Sequence, residues 1–404
     1  MLPEFKIIKQ TKSRGRVGVF KNHLGNEVET PCYVTVGTNA RVRTLESADL
    51  VAVKTSAIIS NTFHLWRGTE GITFPEIKER GGLHKVMGFD GLIMTDSGGF
   101  QVFSMGIARE HNVGKVAQIP GHRDFGEDTF APEKNTVKIT DEGAWFKENG
   151  EDIFLGPKES IQIQEDLGAD IILAFDEPTS PFHNKKYTEE AMQRTHRWAK
   201  LCLDYKTRND QLLYGIVQGG TFEDLRRQSS EFIGSLPFGG FAIGGSFSEA
   251  FGDSRENTFE VLNWTTKYLP DDKPRHLLGI GRPEDILDAV EYGIDTFDCV
   301  IPTREARHGA AWTKFGRVDL NKGLNRENDS KLEDDCACPT CGNGITKKEI
   351  FRLIKLKDPL AAKYLTMHNL WFFNNFMRQI REAMKNDSFN EFKKLFLQTY
   401  NKTG

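Results

Sequence analysis

Eight short apolar runs rich in β-formers recur along the chain with helix-like stretches between them, and this rhythm limits the folds open to it. The runs are Tyr33–Val36, Ala57–Ser60, Leu92–Thr95, Asp170–Phe175, Leu213–Val217, Gly240–Ile243, His276–Ile280 and Thr296–Val300. Strand-length runs alternating with amphipathic segments build a parallel β/α sheet. Their near-continuous hydrophobicity fits strands covered on both faces. Helical spacing is plain in Lys158–Leu167, Thr188–Tyr205 and Pro283–Tyr292, the last opening on a proline suited to a first turn. Polar residues gather at one end of the runs: Thr38, Asn39, Asn61, Asp96, Ser97, Asp176, Gln218, Gly244, Gly245, Gly279 and Asp298 lie at or just after a C-terminal end. In a TIM (β/α)8 barrel those ends converge on one face, where active sites form. An open doubly wound sheet also binds ligands at strand ends, but no Gly-x-Gly-x-x-Gly turn follows the first run.

The chain has 404 residues, enough for a barrel and a small appendage. The expected division is a barrel over 1–315 and a metal-held C-terminal module over 316–404. Residues 105–150 break the rhythm, and the part near 107–136 reads as an insertion into the barrel domain. With 27% charged residues and a net charge of −4, the composition is that of a soluble globular protein, so any basic surface for a polyanion must be local. No apolar run reaches the length of a membrane span or of a signal-peptide core, which makes the cytoplasm the expected compartment.

Three of the six cysteines, Cys336, Cys338 and Cys341, crowd one tight loop. Two short spacings bring three thiolates onto one ion, and His368 can close the tetrahedron after the chain returns through a helix over Lys347–Lys357. Four protein ligands make a closed, structural zinc site. Beyond it, Leu370, Phe373, Phe376, Met377, Ile380 and Met384 mark one face of a helical tail over Thr366–Tyr400.

Asp298 stands inside an apolar run, where an unpaired acid is costly unless it serves chemistry. Arg304 and Arg307 follow on one turn and can grip phosphates. Read without context, Asp298 is equally well an acid capping a strand end.

Phe297-Asp298-Cys-Val-x-Pro-Thr-Arg304-x-x-Arg307 resembles the signature of the tRNA-guanine transglycosylases, or queuine tRNA-ribosyltransferases. Thr95-Asp96-Ser97-Gly-Gly-Phe100-Gln-Val, Ala174-Phe-Asp176-Glu177, Gly215-Ile-Val-Gln218-Gly-Gly and the Cys336, Cys338, Cys341, His368 set match the same family in order. The resemblance implies a pentosyltransferase of queuosine synthesis. It exchanges a guanine in the anticodon of G-U-N tRNAs for a 7-deazaguanine without ATP. Asp298 matches the nucleophile that forms a covalent ribosyl ester. Asp96 matches the general acid/base, and the pair obeys the two-carboxylate logic of retaining glycosidases. Asp176, Gln218 and Gly245 match groups that read the edge of the base, beside Ser97 and Gly244. Phe100 and Leu278 match residues that sandwich its ring, although by composition alone both read as plain core. Arg304, Arg307, Lys314 and Arg317 form the expected tRNA-binding patch. The family further implies a homodimer.

Departures fall where the family distinguishes substituents on the base. Pro178 follows Asp176-Glu177, where bacterial members commonly have Cys, and Ser246-Phe247-Ser248 follow Gly245. The expected incoming base is preQ1 ahead of queuine. Two other readings stand beside the leading one. One is a related transglycosylase acting on DNA or at another tRNA position. The other is a non-catalytic RNA-binding accessory subunit, against which the presence of both Asp96 and Asp298 argues.

Overall fold

The computed structural model describes residues 2–68, 71–103, 137–148, 150–180, 183–245 and 255–400. Eight parallel strands close a barrel: β1 (Cys32–Val36), β2 (Ala57–Ser60), β3 (Leu92–Thr95), β4 (Ile171–Leu173), β5 (Leu212–Val217), β6 (Gly240–Ile243), β7 (Arg275–Leu277) and β8 (Thr296–Cys299). They follow one another in chain order, and β8 closes the ring on β1 with Asp298 opposite Val34. Each is one of the eight apolar runs of the sequence, so the TIM-barrel expectation holds. No helix among the described residues is long and apolar enough to cross a membrane.

Strand alternation sorts the side chains. Val34, Ala57, Ile59, Leu92, Met94, Ile171, Leu173, Tyr214, Ile216 and Ala242 fill the barrel interior as one cluster. Their neighbours Ile58, Ile93, Ile172, Leu213, Val217 and Phe241 pack with the surrounding helices. By the same alternation, Leu277 and Phe297 lie on the helix side. His276 on β7 and Asp298 on β8 therefore take inward positions.

The barrel floor was not read from the sequence. Glu4–Gln10, Arg16–Lys21 and Glu27–Thr30 form an antiparallel sheet whose Phe20 and Val28 join the interior cluster. Two buried polar locks fasten it. Arg16 pairs with Asp295 at 2.5 Å, both fully buried, where the chain enters β8. Asp170, at the entrance to β4, accepts on Oδ1 from His23 and on Oδ2 from His84 Nε2 at 3.0 Å and the Ile93 N–H at 2.8 Å. Both oxygens are thus satisfied by N–H donors.

Between β3 and β4 the chain forms a second small sheet, Lys138–Ile139, Ala144–Glu148 and Glu151–Leu155. The insertion expected over 107–136 lies outside the described residues. Past β8, a helix over Ile301–Arg307 leads to a hairpin of Ala310–Thr313 with Gly316–Asp319, whose turn holds the junction expected at 315. The single tail helix expected over Thr366–Tyr400 is two helices, Pro359–Lys385 and Phe389–Tyr400. Asp358 caps the first by accepting from the Leu360 N–H, with Pro359 in the first turn. The chain reverses at Asp387, whose φ of 56° is left-handed.

Candidate functional site

The barrel brings the candidate acids and base-reading residues to one mouth, at or just beyond the C-terminal ends of β3 to β8. Asp298 is the third residue of β8. Its Oδ1 accepts from His276 Nε2 and from the Gly279 backbone N–H, both at 3.1 Å. Gly279 turns that N–H toward the acid with φ of 76°, a conformation glycine adopts freely. Asp96 follows β3. Its Oδ1 accepts from the N–H groups of Thr62 at 2.9 Å and Gly98 at 3.1 Å, and its Oδ2 from Asn61 Nδ2 at 2.8 Å. Burial, helped by the charge on Asp298 and opposed by the two backbone N–H groups, pushes the Asp96 carboxyl up to about 7. The two acids therefore sense one another across the mouth.

Asp176, past β4, is almost fully buried. Its Oδ1 accepts from Ser97 Oγ at 3.2 Å and its Oδ2 from Gln218 Nε2 at 2.7 Å. Burial raises this carboxyl to about 6, and the neighbouring Glu177 adds to the rise. Gln218 uses one amide hydrogen on Asp176, and its Oε1 is buried with no partner among the described residues. A Cβ on Gly244 would lie 2.6 Å from Gln218 Nε2, so only glycine leaves this amide in place. Gly245 follows with φ of 142°; Ser246, Phe247 and Ser248 lie outside the described residues. Phe100 is 52% exposed, and Leu278 is partly buried at the edge of the interior cluster. The plain-core reading of Phe100 therefore fails: a large ring lies open at the mouth.

The basic patch is less free than its composition implies. Arg304 and Arg307 sit in the helix Ile301–Arg307, half-buried and exposed respectively. Lys314 Nζ pairs with Asp335 at 2.9 Å, and Arg317 Nε with Glu305 at 2.5 Å.

Sequence reasoning missed His276. The one signal that could have found it is its place two positions before Leu278, on the inward face of a strand, and the apolar Leu277 and Leu278 beside it masked that signal.

Cys336, Cys338, Cys341 and His368 converge so that they can hold a metal ion. His368 Nδ1 lies 3.7, 3.4 and 3.6 Å from the three sulfurs. A tetrahedral ion about 2.3 Å from sulfur and about 2.0 Å from nitrogen sets such atoms about 3.6 Å apart, so the donors fit. His368 Nε2 donates to the Trp312 carbonyl at 2.9 Å, which leaves Nδ1 as the free lone pair. The next residue, the fully buried Asn369, accepts from the Trp312 N–H and donates to the carbonyls of Pro302 and Ala310. It ties the metal module to the helix that follows Asp298.

Residues 11–402 match the sequence profile of the queuine tRNA-ribosyltransferase (TGT) family. A queuine tRNA-ribosyltransferase of Dehalococcoides mccartyi is 38% identical over 98% of this chain and 93% of its own. That of Macrococcus caseolyticus is 39% identical over 98% and 96%, and that of Fusobacterium nucleatum 38% identical over 99% of both chains.

Proposed function

Since this chain belongs to the queuine tRNA-ribosyltransferase family, and is a pentosyltransferase of queuosine synthesis by that membership, we propose that it exchanges the guanine of G-U-N anticodons for preQ1 through a covalent Asp298–ribosyl intermediate. One observation carries the reading: two acids at the barrel mouth, Asp298 held by donors on Oδ1 and Asp96 buried enough to titrate near neutrality. In the first half-reaction an Asp298 carboxylate oxygen bonds to the ribose C1′ as the N-glycosidic bond breaks. The departing guanine takes the Asp96 proton. In the second, the incoming base returns a proton to Asp96, its nitrogen bonds to C1′ and the ester bond breaks. No ATP is needed, because one glycosidic bond replaces another.

Asp176, Gln218, Ser97 and the Gly244–Gly245 backbone frame the purine edge in this reading, with Phe100 and Leu278 on its faces. Arg304 and Arg307 contact tRNA phosphates, and Lys314 and Arg317 join by exchanging their acidic partners for phosphate. Cys336, Cys338, Cys341 and His368 would hold a structural zinc, which would order the module and take no part in the chemistry. The active species is a homodimer, and residues 1–315 and 316–404 are its catalytic barrel and zinc module. The preference for preQ1 rests on the bacterial-type zinc module and overall length.

The test is a denaturing gel of enzyme with G-U-N tRNA. Wild type gives a covalent protein–tRNA band; Asp298→Ala gives none and no exchange of labelled guanine, while tRNA binding persists. An unchanged band in the variant removes the nucleophile assignment. Steady-state competition between preQ1 and queuine decides the base, and a tenfold preference for queuine in kcat/KM, about 1.4 kcal/mol, reverses that choice.

A further inference from the structure

We infer that His276 is a positioning residue: it anchors Oδ1 of Asp298 and so selects Oδ2 as the atom that attacks the ribose. The inference rests on the nucleophile reading above.

Its basis is the arrangement of donors around one carboxylate. His276 is fully buried and faces inward from β7, with Thr296 opposite it on β8. The Thr296 Oγ1 lies 2.8 Å from His276 Nδ1, and His276 Nε2 lies 3.1 Å from Asp298 Oδ1. Asp298 must be ionised to act as a nucleophile, so it has no proton to share. The proton between the two groups then belongs to Nε2, and the Thr296 hydroxyl, able to donate or accept, holds Nδ1. Held at both nitrogens, the ring is fixed in its plane. The Gly279 N–H takes the same oxygen, Oδ1, at 3.1 Å. Oδ2 accepts no hydrogen bond from any described residue, on a side chain that is 16% exposed at the mouth.

The asymmetry has chemical consequences. Two donors on Oδ1 lock the carboxylate's rotation, which leaves Oδ2 with its lone pairs unoccupied and its approach to C1′ defined. The same donors hold the charge that returns to the carboxylate when the incoming base displaces it. Losing His276 removes one of the two anchors without removing any group that touches the base. The effect therefore belongs in kcat and in the rate of ester formation, not in KM for guanine.

Three variants test this with labelled-guanine exchange, the covalent-band time course and thermal melting. His276→Gln keeps a side-chain N–H donor able to reach Asp298; His276→Leu keeps bulk and loses the donor; Asp298→Ala is the control. The expected result is a fall in kcat of at least about tenfold for the leucine variant with KM for guanine within about twofold, slower band formation, and recovery of most of the rate in the glutamine variant. If His276→Leu does not fold, His276→Asn replaces it, since its shorter side chain keeps the amide but falls short of Oδ1. Wild-type kcat in the leucine or asparagine variant, or equal losses in kcat and melting temperature for the glutamine variant, overturns the positioning role while Asp298→Ala still abolishes exchange. Exchange that survives Asp298→Ala overturns the nucleophile reading itself, and the inference with it.

Discussion

Burial holds the carboxyls of Asp96 and Asp176 above the ordinary carboxylate range, at about 7 and about 6. The proposed roles need opposite forms of the two. Asp96 must enter protonated to give guanine its proton, so activity falls as pH rises through about 7. Asp176 must be ionised to accept from the ring N–H and amine of the base, so affinity for the base falls as pH drops through about 6. The kcat/KM for tRNA should then carry an alkaline limb at about 7, and the kcat/KM for guanine an acid limb at about 6. Asp96 also feels Asp298 and Asp176 feels Glu177, so the limbs report apparent values of a coupled set. Asp96→Asn should lower the rate by roughly 100-fold or more and erase the alkaline limb, because the group that titrates is gone. An alkaline limb preserved in that variant assigns it elsewhere. Stability follows the same sign for Asp96: the folded chain holds this proton more tightly than the unfolded one, and that contribution is lost as pH rises through about 7.

At the scale of elements, the floor sheet reverses that sign. Burial pushes Asp170 up, but the hydrogen bonds from His23, His84 and the Ile93 N–H prevail and hold it down at about 2. Its contribution, about 2–3 kcal/mol from a shift of this size, is present above the ordinary carboxylate range and lost as pH falls toward about 2. Asp170→Asn turns one of the two acceptor oxygens into an N–H donor facing the N–H groups already there and should cost about 1–3 kcal/mol at neutral pH, measured by denaturant unfolding. It should also flatten the acid side of the stability profile, and an unchanged acid side refutes the lock. This lock was illegible in the sequence for a physical reason. Its residues come from a hairpin, a short helix and a strand entrance, and no local spacing links them. The floor strand Glu4–Gln10 alternates exposed and half-buried residues, so it carries no apolar run to notice. The barrel strands were legible because burial on both faces writes an apolar run into each. The mouth acids were legible because their positions at strand ends follow from the same runs. His276 was hidden by its neighbours Leu277 and Leu278, which made its strand read as core.

Across the whole molecule, the Cys/His cluster and the barrel mouth are mechanically joined through one helix. Pro359–Lys385 carries His368 to the cysteines and Asn369 to the carbonyls of Pro302 and Ala310, the first of which lies in the helix directly after Asp298. Purified protein should contain one zinc per chain by elemental analysis. Cys338 is fully buried and takes the Cys341 N–H on its sulfur, so Cys338→Ala removes a ligand and the turn's anchor together. Because structural zinc binds only the folded module, its binding energy is folding energy, and this variant should lose the metal and melt well below wild type. A chelator strong enough to strip wild type should shift melting in the same direction, and added zinc should restore it. The coupling through Asn369 adds a second consequence. Asn369→Ala leaves the ligands intact but strands buried backbone groups at Trp312, Pro302 and Ala310, each costing about 1–3 kcal/mol. It should therefore keep its zinc and still lower exchange, because the support of the helix behind Asp298 is loosened. Full zinc content in the Cys338→Ala variant contradicts the ligand set. Undiminished exchange by Asn369→Ala shows that the module stabilises the chain without steadying the mouth.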